Sequence, residues 1–146
     1  MMEQLQLGDQ TVLYDRERTE GAYAGMKSGD AERCGCSHCQ NFAAQRSTAY
    51  PETFRRVLDR LGIDPAKEGE VYECGQEGSL RLYSGWFYFS GELIEPGERM
   101  IDAGSGFQFY FSDAKRLPES TGDFGGNVLA VEFSGAKVPW IISEQP

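Results

Sequence analysis

The sequence predicts an α+β domain, with two short N-terminal helices packed on a curved antiparallel sheet, either a meander or a partly closed barrel. Three observations lead there. The clearest amphipathic helical pattern lies between Pro51 and Gly62, in the first half of the chain. Alternating, aromatic-rich segments fill the second half. Eighteen glycines punctuate the chain, and seven tyrosines with nine phenylalanines add β tendency. The 146 residues fit one domain, 1–146. A chain of that size buries roughly 68–70% of its unfolded surface, so it does not need a metal merely to own a core.

Residues 3–14 read as a hairpin. Leu5 and Leu7 alternate with polar neighbours, Gly8-Asp9 turns, and Thr11-Val12-Leu13-Tyr14 resumes. Residues 15–33 are polar, contain glycine and follow neither period, which predicts a loop. A first helix is expected from Ser37, with Gln40 three residues on completing a capping box, and it runs without a breaker to Arg46. The second helix has Pro51 in its first turn. Phe54, Val57, Leu58 and Leu61 follow at i, i+3, i+4 and i+7, and Gly62 stands where a left-handed C-terminal residue belongs.

Strands are then expected at 70–74 and 79–90. In the latter, Leu80, Leu82, Trp86 and Tyr88 face one way, and Tyr83, Phe87 and Phe89 the other. Apolar residues on both faces predict a central strand, and Gly85 allows a bulge. Gly91-Glu92 reads as a hairpin turn into Leu93-Ile94. Further strands are expected at 106–111, 128–133 and 138–142, with a long loop over 112–127.

The formal charge of −9 makes a surface that repels phosphate backbones, so nucleic-acid binding is not expected, while a basic protein partner suits it. The first residues lack the basic and apolar regions of a secretory signal, and no apolar run reaches the length of a membrane span. Residence in a reducing cytoplasm is therefore expected, where clustered cysteines bind metal or do redox chemistry more often than they form disulfides.

Three of the four cysteines and the single histidine fall within Cys34-Gly35-Cys36-Ser37-His38-Cys39. Cys36 and Cys39 make a C-x-x-C pair, a spacing that lets two thiolates reach one ion around a tight turn. Cys34 needs a local kink to join them, and Gly35 makes one available. A zinc-knuckle-like segment at 34–42 follows, with Cys34, Cys36 and Cys39 as ligands. Cys74, at a strand end before Gly75, is the favoured fourth ligand, because structural zinc sites prefer four cysteines; His38 is the alternative. A closed four-cysteine site has no open position for water, so the expected role is structural and non-enzymatic, exercised through protein contacts. The rival is a thiol- or zinc-dependent enzyme centred on Cys36 and Cys39, since C-x-x-C at a helix N-terminus resembles the site of thioredoxin-like oxidoreductases. The buried parallel strand that precedes that motif is missing here.

The run from Cys34 to Phe42, with Tyr50-Pro51 and Leu61-Gly62-Ile63-Asp64 downstream, resembles a group of small uncharacterised bacterial proteins sharing C-x-C-x-x-C-x-N-F. The resemblance covers about the first half of the chain. It implies a bacterial cytosolic setting and no activity.

Overall fold

The structure, a computed structural model, describes residues 2–114 and 122–142. Its strands are β1 (Glu3–Leu7), β2 (Gln10–Tyr14), β3 (Glu70–Glu77), β4 (Leu80–Glu95), β5 (Ile101–Gly104), β6 (Phe107–Asp113) and β7 (Val128–Pro139). The helices are α1 (Arg16–Ala24), α2 (Asp30–Cys34), α3 (Ser37–Ala44), α4 (Arg46–Ala49) and α5 (Glu52–Leu61). Among the described residues all strand pairings are antiparallel, and the sheet is not closed.

The sheet order is β1-β2-β4-β7-β6-β5, with β3 pairing β4 off that path. This is no meander, because β7 lies between β4 and β6. The organising strand is β4. One of its edges pairs first with β3, over Leu80–Trp86, and then with β2, over Gly91–Glu95. Its other edge pairs with β7 from Leu80 to Ser90. A bulge shifts the register with β7 between Tyr83 and Gly85. A Cβ at Gly85 would stand 2.2 Å from the Glu70 carbonyl oxygen, so only glycine fits.

The hairpin at 3–14 and the helix at 52–61 lie where expected. Besides the meander, several expected elements need correction. Two N-terminal helices become five among the described residues. The loop expected at 15–33 contains α1 and α2. The hairpin expected at Gly91-Glu92 does not form, because β4 runs straight through it to reach β2. The strands expected at 128–133 and 138–142 are one strand, β7. A short strand, β5, adds to the expected set. Of the loop expected over 112–127, residues 115–121 lie outside the described residues.

One sheet face gathers the core. Phe54 of α5 sits among Phe87, Phe107, Phe109 and Phe133, with ring centroids 6.3, 4.9, 5.0 and 5.7 Å away. Tyr50 packs 5.3 Å from Phe133 and 5.8 Å from Phe42 of α3. Truncating a ring in such a cluster typically costs about 3–5 kcal/mol. Phe42 thus ties the cysteine-bearing helix to the same core that holds α5. No helix among the described residues is long and apolar enough to cross a membrane.

Candidate metal centre

The cysteines lie on a helix–kink–helix. Cys34 ends α2, and Gly35 follows in the left-handed conformation at φ 67°, ψ 4°. Cys36 is extended, at φ −72°, ψ 168°, and caps α3, its sulfur accepting the Cys39 N–H at 3.4 Å. The cap is therefore Cys36 and not Ser37, and Gln40 reaches back to the Gly35 carbonyl at 2.7 Å. The kink turns Cys34 back over the first turn of α3. The sulfurs of Cys34, Cys36 and Cys39 all lie within 4.8 Å of one another. Around a tetrahedral zinc, with bonds of about 2.3 Å, sulfurs stand about 3.8 Å apart, so small movements close the set on an ion.

Cys34 and Cys36 are exposed and Cys39 is buried. The Cys39 N–H holds the Cys36 thiol below its ordinary value against the opposing effect of burial, and hydrogen bonding with the Cys34 and Cys39 thiols adds to that. Burial pushes the Cys39 thiol up, and the two neighbouring sulfurs push it further. A cation placed among the three would reverse that balance, since bound thiols are deprotonated.

The other two candidates stand outside this group. The Cys74 sulfur lies 3.3 Å from Ser84 Oγ and 3.5 Å from the Leu82 carbonyl oxygen. The His38 ring packs edge-on to Trp140 at 5.6 Å. Its Nδ1 lies 3.9 Å from Glu73 Oε2 and has no hydrogen-bond partner among the described residues.

What holds the two helices in register was not legible as a site in the sequence. Buried Glu68 accepts the Ala31 N–H at 3.1 Å in its carboxylate, and its carbonyl accepts the Asp30 N–H at 3.0 Å, so it fixes the start of α2. Arg46 joins Glu68 at 2.8 Å and Glu32 of α2 at 2.9 Å. On α3, Asn41 is buried; its amide donates to the Pro139 carbonyl at 3.1 Å and accepts the Ile141 N–H at 2.9 Å. Tyr83 donates to the His38 carbonyl at 2.8 Å. Asn41-Phe42, the tail of the motif, thus anchors the knuckle to the end of β7 and to the core. An asparagine and a phenylalanine closing the cysteine motif were the available signal; Glu68 and Arg46 had none.

Comparison with protein-family models, with curated proteins and with solved structures finds no match.

Proposed function

We propose that the chain is a zinc-stabilised domain that acts through protein contacts, with Cys34, Cys36 and Cys39 supplying three thiolates. The observation that carries this reading is the convergence of three sulfurs within 4.8 Å across a glycine kink. Soft thiolates select zinc, copper(I) or iron–sulfur clusters, and zinc is the ion whose structural sites take this form. Cys74 is the proposed fourth ligand and His38 the alternative. Cys74 belongs to β3, which packs against α3. Its thiol is exposed and rests on two weak sulfur contacts, so a new rotamer gives up little. The ion would then pin α2 and α3 to the sheet.

Metal analysis of untagged protein is the test. Zinc near one equivalent, lost together with thermal stability in Cys36→Ser, supports the reading. Metal-free protein carrying one hyper-reactive thiol overturns it in favour of thiol chemistry at Cys36 and Cys39. Zinc kept in Cys74→Ala but lost in His38→Ala moves the fourth ligand to the histidine.

A further inference from the structure

The sheet carries a second chemistry on the face opposite its phenylalanines. The register pairs Trp86 of β4 with Glu132 of β7, and Glu132 with Tyr110 of β6. Directly paired residues share a face, so a carboxylate stands between two aromatic side chains across three strands. These residues line a groove of about 620 Å³. It shares Leu93, Asp113 and Ala114 with a neighbouring hollow of about 470 Å³, which adds Glu92. No basic side chain among the described residues lines either hollow.

Glu132 accepts the Ser112 hydroxyl at 2.6 Å and has no ion-pair partner among the described residues. Burial raises the Tyr110 hydroxyl's affinity for its proton, and the Glu132 charge beside it raises it further. Aromatic faces attract an ammonium or guanidinium group, and aromatic walls beside a carboxylate strengthen its attraction for a cation. The whole chain, at −9, draws cations towards it.

We infer that this groove docks a basic segment of a partner polypeptide. One lysine or arginine head sits on Glu132 beside Trp86 and Tyr110, and a second lies near Glu92 and Asp113. A polypeptide fits better than a lone amine because the acids are distributed along two joined hollows. The inference rests on the reading that the chain acts through protein contacts, and not on the metal.

The test is titration of the full chain with fluorescein-labelled octalysine at ~0.15 M salt, where long-range attraction is screened. Glu132→Gln should weaken binding about fivefold or more. Glu17→Gln removes the same charge from an exposed position of α1 and should leave binding unchanged. In the unaltered protein, unlabelled octalysine should shift the Trp86 indole N–H resonance and leave that of Trp140 in place. Equal weakening by the two variants, or an unmoved Trp86 indole, overturns the inference by reducing it to net charge. Should Glu132→Gln fail to fold, Tyr110→Leu and the Trp86 resonance decide in its place. Zinc content is measured on the same samples. Full zinc without docking rejects the groove alone, and docking without zinc rejects the metal centre alone.

Discussion

The side-chain amide of Gln10 serves Phe111 as a strand partner would. Its Oε1 accepts the Phe111 N–H at 2.8 Å and its Nε2 donates to the Phe111 carbonyl at 2.9 Å, across 101 positions of sequence. The same Nε2 also donates to the Pro96 carbonyl at 2.7 Å. β5 pairs β6 only as far as Phe109, so among the described residues no strand pairs Phe111 on that edge. The curl of the sheet brings β2 there instead, and one buried glutamine spans the gap that keeps the sheet from closing.

Gln10→Ala should therefore be strongly destabilising. It strands a buried N–H and a buried C=O, each worth about 1–3 kcal/mol when left unsatisfied. A loss of about 3 kcal/mol in urea denaturation is expected, with an unchanged slope. A loss below about 1 kcal/mol would mean that water replaces the amide at this edge.

The contrast between α5 and α1 explains what the sequence could tell. Phe54, Val57, Leu58 and Leu61 are large and recur at the helical period, with a left-handed Gly62 to end the helix, and all four are buried. The buried stripe of α1 is Thr19, Ala22 and Tyr23, at the same spacing but with little hydropathy to mark it. Its cap, Asp15 accepting the Arg18 N–H at 3.0 Å, is ordinary chemistry in a stretch crowded with charges. At Gly91 the glycine was visible and its reason was not. A Cβ there would lie 2.2 Å from the Leu13 carbonyl oxygen, so the residue permits strand contact and makes no turn. The cysteine spacing announced a cluster. Only the fold could show which thiols converge, because Cys74 depends on the bulged register between β3 and β4.

The Arg46 network gives a pH signature. For Glu32, burial alone would raise the carboxyl, but the hydrogen bond and charge of Arg46 outweigh it and hold the group below its ordinary value. For Glu68, burial wins over Arg46 and the carboxyl is raised. A depressed Glu32 stabilises the fold fully above the unfolded glutamate value of about 4.3 and progressively less as pH falls through its folded value. A raised Glu68 acts oppositely, its contribution being present at low pH and lost as pH rises through its folded value. Arg46→Met removes the stabilising partner of both and strands a buried charge, a loss of about 3–5 kcal/mol at neutral pH. Its melting temperature should then rise on mild acidification, as Glu68 takes up its proton. A variant whose stability still falls monotonically with acid would assign the network no such role.

Gly35→Ala tests the kink. Among the described residues a Cβ there meets nothing within 4 Å, so the effect is conformational. Holding alanine at φ 67° costs roughly 1–2 kcal/mol. Relief of that strain would swing Cys34 away from the other two sulfurs. The expected outcome is a modest loss of stability with a larger loss of zinc affinity in competition with a chelator. Equal stability and unchanged affinity would show that the turn is not needed to converge the thiols.

The two halves of the C-x-x-C pair should differ in reactivity in metal-free protein. Cys36 is exposed, caps α3 and is held below the ordinary thiol value of about 8.5, whereas Cys39 is buried and raised. Iodoacetamide, which reacts with thiolate, should label Cys36 well before Cys39 near neutral pH. The modified peptide can be read by mass spectrometry after brief exposure. Zinc added to the sample should slow both, because coordination ties up the sulfur lone pairs. Labelling of Cys39 first would mean that the N-terminal turn of α3 opens in solution. Protection by zinc at Cys36 and Cys39 without protection at Cys34 would reduce the site to the C-x-x-C pair. The order of labelling therefore reports the cap, and its response to zinc reports how many of the three sulfurs the ion holds.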